Sequence, residues 1–221
     1  MREGHLFVIE GIDGSGKSST AAEVVRMLRE VGYSVAALRE PTYESEAGKT
    51  VRAYLDNNEE IPGNDLINLF IADRVWDVQH NIKPALDAGN IVVMDRYFLS
   101  NSVYECSGEY PWKRLMKMNR SEGFPEPDIW FILDPGVGRA FTRLIDRGSK
   151  PSQYETRVEL EKHDMLYKEI AAEDLGNYVF IYNGRPIEEV ANEIVNEILW
   201  HVGNFEQCWH DHWPYSHLLG V

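Results

Sequence analysis

The stretch GIDGSGKS at residues 11–18 decides the fold of this chain. It follows an apolar run, LFVI at residues 6–9, and Glu10, and it precedes residues 18–31, where apolar positions recur with a helical period. A glycine-rich loop of this pattern, between a strand and a helix, turns backbone N–H groups inward around phosphate oxygens. Lys17 adds positive charge at the β and γ phosphates, and the Ser18 hydroxyl is a ligand for Mg²⁺. The pattern therefore predicts a P-loop that binds ATP; a glycine-rich turn without this role is the alternative.

Short apolar runs alternate with longer segments of helical period along the chain. Five such runs occur, at residues 6–9, 34–38, 91–94, 129–133 and 178–182, with helical segments such as 18–31 and 65–88 between them. Uninterrupted apolar strands suit a parallel sheet that is covered on both faces. The alternation predicts an α/β fold of the P-loop type, with three layers, five parallel strands and flanking helices. Ligands of such folds bind at the carboxyl ends of the strands.

Composition limits the classes of protein to consider. The length of 221 residues predicts one α/β domain over residues 1–199, followed by a tail at 200–221. The formal net charge of −14 argues against a nucleic-acid partner, which requires a basic surface. The two cysteines, Cys106 and Cys208, indicate a reducing cytoplasm rather than a disulfide framework. No apolar run is long enough to cross a membrane.

The third apolar run ends in Asp95 and Arg96, two residue types suited to phosphoryl transfer. A carboxylate at this strand end can hold Mg²⁺ through water, and a guanidinium can bind phosphate oxygens with paired hydrogen bonds. A salt bridge between strand-end neighbours is the alternative. Because the guanine-recognition signatures of GTPases do not occur in suitable positions, the P-loop and this strand end together predict a small kinase.

In its further motifs the chain closely resembles the thymidylate kinase family, from about residue 6 to residue 199. The resemblance rests on the order and spacing of the P-loop, REP at residues 39–41, FIADR at 70–74, DRY at 95–97, SNSVY at 100–104, PD at 127–128, RG at 147–148 and YE at 154–155. It implies an enzyme that phosphorylates dTMP to dTDP with ATP and Mg²⁺. It also implies small-molecule nucleotides as partners and a homodimer.

The resemblance implies roles for individual side chains. Asp13 would contact the sugar 3′-hydroxyl and orient Arg96, which would hold the acceptor phosphate. Phe70 would stack on thymine, and Arg74 would donate to thymine O4, so that cytosine would leave a polar group unpaired. Tyr104 would exclude a ribose 2′-hydroxyl. The predicted dTMP site is Asp13, Tyr43, Leu55, Phe70, Arg74, Arg96, Ser100, Asn101, Tyr104 and Tyr154. The predicted ATP site is Gly11, Ile12, Asp13, Gly14, Ser15, Gly16, Lys17, Ser18, Ser19 and Arg143, and the predicted magnesium ligands are Ser18 and Asp95.

Each base-reading residue has a purely structural alternative. Phe70 and Tyr104 would also suit core packing, and Arg74 would suit a surface pair with Asp73. Asn101, whose amide matches the N3–H and O4 edge of thymine, would also suit a helix cap.

A lid at about residues 143–155 is predicted to supply positive charge to the transferred group. Arg139, Arg143 and Arg147 recur at helical spacing. Arg143 would stack on adenine, and a solvated helix face is the alternative for all three. The predicted catalytic residues are Lys17, Arg96, Asp13, Arg147 and Lys150. Two departures from the family pattern are Ile145, at a position that is often basic, and Thr42, because arginine or glycine often follows the proline there. Tyr43 would replace a phosphate contact through its hydroxyl, and the sequence leaves the role of Glu40 open.

The tail at residues 200–221 combines tryptophan with potential metal ligands. Cys208, His210, His212 and His217 would suit zinc, but docking of the aromatic side chains is the favoured interpretation. For the whole chain, the alternatives to a dTMP kinase are a kinase for another acceptor, such as dUMP or thymidine, and a P-loop regulator without turnover.

Overall fold

The computed structural model places the P-loop at the carboxyl end of the central strand of a parallel sheet. It describes residues 4–57, 61–148, 152 and 154–203. The strands are β1 (His5–Glu10), β2 (Val35–Arg39), β3 (Ile91–Asp95), β4 (Ile129–Asp134) and β5 (Tyr178–Tyr182). They form a five-stranded sheet in the order β2-β3-β1-β4-β5, with every pairing parallel. The predicted α/β fold with a five-stranded parallel sheet is confirmed.

Helices connect the strands and cover both faces of the sheet. They are α1 (Lys17–Glu30), α2 (Glu46–Asn57), α3 (Gly63–Asp77), α4 (Lys83–Asp87), α5 (Phe98–Tyr104), α6 (Trp112–Ser121), α7 (Val137–Asp146), α8 (Arg157–Glu173) and α9 (Ile187–His201). A π-helical turn at Val78–Ile82 joins α3 to α4, so the predicted helix at residues 65–88 is helical throughout but not regular. Among the helices in the described ranges, none combines the length and the apolar character that crossing a bilayer requires.

Alternating side chains of the inner strands enter two separate hydrophobic cores. Leu6 and Val8 of β1 pack into the core beneath α5, α6 and α8, whereas Phe7 and Ile9 pack into the core beneath α1 and α9. All four side chains are almost fully buried. Because both faces of the sheet are covered, the inner strands are apolar at every position between their ends, which is the pattern that revealed them in the sequence.

The strand register brings the polar strand ends to one edge of the sheet. Asp95 of β3 pairs with Ile9 of β1 on one side and with Arg39 of β2 on the other. Glu10 is the last residue of β1 and directly precedes the P-loop. These side chains therefore surround the start of α1, which is where a parallel α/β fold binds its ligand.

Candidate active site

The P-loop is held between β4 and α7 by glycines that no other residue can replace without a clash. Gly11 has φ 140°, and a Cβ there would lie 2.6 Å from the Leu133 carbonyl oxygen. Gly14 has φ 77°, and its Cβ would collide with the Ala140 carbonyl oxygen. The loop carbonyls accept hydrogen bonds from Lys17, whose Nζ donates to Gly11 O and Ile12 O at 2.8 Å each.

Lys17 is a buried cation that lies beside other charged side chains. Its side chain is 6% exposed. Burial is the largest cause that lowers the pKa of Lys17, to about 8, and the neighbouring charge of Arg96 acts in the same direction. The negative charge of a phosphate chain beside the ammonium group would favour the charged form and oppose these effects, so this lysine is suited to bind one.

The two predicted magnesium ligands lie in contact. Ser18 Oγ donates to Asp95 Oδ2 at 2.6 Å. Asp95 is 5% exposed, and its other oxygen, Oδ1, is buried without a hydrogen-bond partner among the described residues. A hydroxyl and a carboxylate with an unused buried oxygen are hard oxygen ligands of the kind that Mg²⁺ takes. The residues at this position therefore fit the metal.

Arg96 connects the P-loop to the start of α5. Its guanidinium forms an ion pair with Asp13 and donates from Nη1 to Ser100 Oγ at 3.0 Å. Burial opposes ionisation of Asp13, but the charges of Arg96 and Lys17 outweigh it and lower the pKa of the carboxyl group. Arg96 has φ 72°, a conformation that costs a non-glycine residue about 1–3 kcal/mol.

An acceptor-sized cavity of about 440 Å³ opens beside this ion pair. Its volume lies within the range of about 300–1,000 Å³ that is typical of small-molecule sites. Among its lining residues are these positions of the predicted acceptor site and lid: Asp13, Leu55, Phe70, Arg74, Arg96, Ser100, Asn101, Tyr104, Arg147 and Tyr154. The cavity thus brings together nearly all of the residues that the resemblance predicted for dTMP.

At the base of the cavity, Arg74 is buried and paired with Glu40. Arg74 is 1% exposed, and its Nε and Nη2 lie 2.8 and 2.6 Å from Glu40 Oε2. Its Nη1 donates to Asn119 Oδ1. One N–H remains at each terminal nitrogen, which leaves donors for a ligand oxygen. The alternative of a surface pair with Asp73 is wrong.

Residues 9–194 match the family model for thymidylate kinase. The chain is 35% identical to the probable thymidylate kinase of Archaeoglobus fulgidus, over 86% of this chain and 92% of that protein. It is also 35% identical to the thymidylate kinase of Leptospira interrogans, over 76% of this chain and 83% of the relative. A third relative, the probable thymidylate kinase of Pyrococcus abyssi, is 33% identical over 87% of this chain and 94% of its own length.

The chain belongs to the thymidylate kinase family. The predicted membership is confirmed, and with it the prediction that the chain is an ATP-dependent phosphotransferase. The roles of individual residues stay predictions, which their positions in the structure either favour or oppose.

Positions in the structure favour Asn101 and Phe70 as ligand-contacting residues of a thymidylate kinase. Asn101 does not cap a helix, because α5 begins after Tyr97 and Asn101 lies within it, 2% exposed. Phe70 is half-buried at the wall of the cavity, so core packing does not account for its position. Tyr104 fits both interpretations: it lines the cavity and packs on His163, with the ring centroids 4.3 Å apart.

Tyr43 is the predicted acceptor-site residue that the structure places elsewhere. Its side chain is 64% exposed and does not line the cavity. Its ring packs against the Arg52 guanidinium, whose carbon lies 4.3 Å from the ring centroid. Arg39 and Arg52 line the cavity instead. The prediction of a phosphate contact from Tyr43 is therefore opposed by its geometry.

The predicted lid begins on α7. Arg143 is half-buried and its guanidinium points to the P-loop, where Nη1 lies 3.4 Å from Gly14 O and 3.3 Å from Ser15 O. This position favours a structural hold on the loop over the predicted stacking on adenine. Arg147 binds Glu155 Oε1 at 2.7 Å and lines the cavity, so it lies within reach of an acceptor. Lys150 lies outside the described residues, as do the potential ligands of the tail.

Sequence reasoning missed three residues that shape the site. Glu10 accepts from the backbone N–H groups of Tyr97 and Ser100 at 2.9 and 3.0 Å, which fixes the start of α5. An acidic residue that ends an apolar strand was the signal for it. Glu40, whose role the sequence left open, holds Arg74 through contacts of Oε2 with Nε and Nη2. Asn119 accepts a hydrogen bond from Arg74 and donates one from Nδ2 to Asn101 Oδ1 at 3.3 Å. Nothing in the sequence indicated this role.

The stability of the fold should depend on pH through Glu40. Burial raises the pKa of Glu40 from an ordinary 4.5 to about 8, and the Arg74 charge only partly offsets it. Because the folded state then binds this proton more tightly than the unfolded state, the free energy of unfolding falls as the pH rises between those values.

We expect Glu40→Gln to remove this contribution, which amounts to at most about 1.4 kcal/mol per pH unit. Urea denaturation of both proteins between about pH 5 and pH 8 measures the slope. Other titrating groups contribute equally to the two proteins and cancel in the comparison. If the free energy of unfolding changes equally with pH in both proteins, Glu40 is ionised in the folded state throughout this range.

Proposed function

We propose that this chain transfers the γ-phosphoryl group of Mg-ATP directly to the phosphate of dTMP, giving ADP and dTDP. One observation carries the proposal: Arg96 forms an ion pair with Asp13 of the P-loop and also lines the acceptor cavity. The same guanidinium therefore lies between the phosphate-binding loop and the cavity for the second substrate. In-line transfer requires this proximity of donor and acceptor.

The chain's own residues would position the reactants and balance their charge. Lys17 binds the β and γ phosphates, and Ser18 and Asp95 hold Mg²⁺. The metal, when bound, neutralises negative charge on the β and γ oxygens. Arg96 holds the acceptor phosphate so that one of its oxygens faces the γ phosphorus, and Arg147 adds charge from the side of the lid.

Thymine recognition is assigned to the base of the cavity. The remaining N–H donors of Arg74 would face O4, and Asn101 Nδ2, a buried donor without a partner among the described residues, would face another acceptor of the base. The exocyclic amine of cytosine would present a donor to Arg74 and leave both groups unpaired. Phe70 would stack on the ring, and Tyr104 would pack against C2′ of the sugar.

An acceptor panel tests the proposal. The purified chain is incubated with Mg-ATP, and ADP release is followed with dTMP, dUMP, dCMP, dGMP, UMP or thymidine. We expect the largest kcat/KM with dTMP, a lower value with dUMP, and at least about a hundredfold less with dCMP and thymidine. Efficient turnover of a different acceptor would replace the assigned substrate. ATP binding without turnover of any acceptor would favour a regulator.

Three further features are proposed by analogy with the family or from composition. The chain would form a homodimer, which sedimentation velocity would measure directly. It would act in the cytoplasm on small-molecule nucleotides and would have no nucleic-acid partner, because its net charge of −14 disfavours contact with phosphate backbones.

A further inference from the structure

Three potential metal ligands converge at the edge of the sheet opposite the active site. His5 is the first residue of β1, Asp128 directly precedes β4, and His201 is the last residue of α9. Their ligand atoms, one from each residue, all lie within 4.8 Å of one another. These residues are far apart in sequence and belong to three elements, so the cluster is a product of the fold. Neither the P-loop nor the acceptor cavity accounts for it.

The distances within the cluster suit a tetrahedral metal site. Asp128 Oδ1 lies 3.0 Å from His201 Nε2 and 3.6 Å from His5 Nδ1. Bond lengths of about 2.0–2.2 Å from Zn²⁺ to nitrogen and oxygen place neighbouring tetrahedral ligands about 3.3–3.5 Å apart. Ligand atoms within 4.8 Å of one another can therefore reach these positions through small side-chain rotations.

The surrounding contacts hold the three ligands in place. Asp128 uses its other oxygen, Oδ2, to accept the Leu6 backbone N–H at 2.7 Å, so Oδ1 is left for the two imidazoles. The His201 ring packs edge-on against Phe7 and His5, with centroid distances of 5.6 and 5.4 Å. The three side chains keep between 21% and 32% of their surface exposed. The exposed side leaves room for a water molecule as the fourth ligand.

We propose that His5, Asp128 and His201 form a binding site for one divalent transition-metal ion, with Zn²⁺ as its first candidate. Two imidazoles and a carboxylate are ligands that suit zinc and neighbouring first-row metals, whereas Mg²⁺ and Ca²⁺ prefer oxygen alone. The role would be structural, because the ion would join β1, β4 and α9. The site is separated from the P-loop by the length of β1, about 17 Å, so turnover should not require this metal.

Binding is tested with the full-length chain, since the tail supplies competing ligands. A background variant carries Cys208→Ser, His210→Asn, His212→Asn and His217→Asn. In this background we expect calorimetric titration with Zn²⁺ to show one ion per chain. Zinc at about a hundred times its Kd should raise Tm by about 5–10 °C, because the ion binds the folded state. Titration with Co²⁺ should give the visible absorption of a tetrahedral complex.

The ligands are then replaced one at a time. His201→Asn and Asp128→Asn should each weaken zinc binding at least tenfold and abolish the shift in Tm, and Asp128→Asn retains an oxygen for Leu6 N–H. The matched control is His80→Asn, because His80 is an exposed histidine on the π-helical turn, stacked on Trp76. If the unmodified chain binds zinc but the background variant does not, the site lies in the tail. Binding that survives both ligand substitutions would be adventitious, and either result would overturn the proposal.

Discussion

Replacing Arg96 with methionine will lower kcat for phosphoryl transfer about a thousandfold or more, and the chain will remain folded. The Arg96 guanidinium contacts Asp13 of the P-loop and Ser100 of α5 and lines the acceptor cavity. Methionine fills the space of the aliphatic part of the arginine side chain but has no charge and no donors. The acceptor phosphate would lose its alignment and the transferred group would lose a positive charge in a site that excludes water.

The backbone at this position allows the catalytic loss to be separated from a folding defect. Arginine and methionine would share the same unfavourable φ of 72° here, so the substitution adds no backbone strain. Arg96→Lys retains the charge but not the paired donors, and we expect it to recover only part of kcat. Arg114→Met, at an exposed arginine of α6, is the matched control and should leave kcat unchanged. Steady-state kinetics with thermal melts measure both properties.

A loss of less than about tenfold in Arg96→Met would contradict the assigned role, because an arginine on the transferred or accepting phosphate contributes far more than that. A rise in KM for dTMP with kcat unchanged would also contradict it. That result would mean that Arg96 binds the ground state and the transition state equally.

The sequence predicts what is local or periodic. The P-loop at residues 11–18 is recognisable from its glycine pattern. The strands on either side of β1 are recognisable because both faces of the sheet are buried and the inner strands are apolar between their ends. Arg96 and Asp13 are also predictable, since both lie at strand ends that a parallel sheet brings to one edge. The bounds of the five strands differ from the predicted ones by at most one residue at either end.

Long-range polar contacts are what the sequence does not reveal. Glu40 binds Arg74, 34 positions along the chain, and Asn119 binds Arg74 from 45 positions away. No pattern in the sequence connects these positions. The geometry opposes the acceptor-site prediction for Tyr43 for a related reason. Outside a helix or strand, no periodicity in the sequence indicates which way a side chain points, and most of the Tyr43 side chain is exposed to solvent. Such partners become visible only when the fold has brought α3, α6 and the segment after β2 together.

Arg74→Met will have the second largest effect, and it will act on stability and on base selectivity together. Removing the guanidinium leaves Glu40 buried without its counter-charge and Asn119 Oδ1 without its donor. Above about pH 8, where Glu40 is ionised, breaking a buried ion pair in this way costs about 3–5 kcal/mol. The donors toward thymine O4 are lost as well, so the ratio of kcat/KM for dTMP to that for dCMP should fall at least about a hundredfold.

A double substitution separates the two effects. Arg74→Met combined with Glu40→Met replaces the ion pair with apolar side chains of similar total volume, and such replacements are often close to neutral for stability. We therefore expect urea denaturation to show the double variant more stable than Arg74→Met alone, with a coupling of at least about 1 kcal/mol. Selectivity between dTMP and dCMP should not return, because no donor has been restored. If the double variant regains the preference for dTMP, Arg74 serves only to neutralise Glu40, and recognition of thymine must come from Asn101 and Phe70.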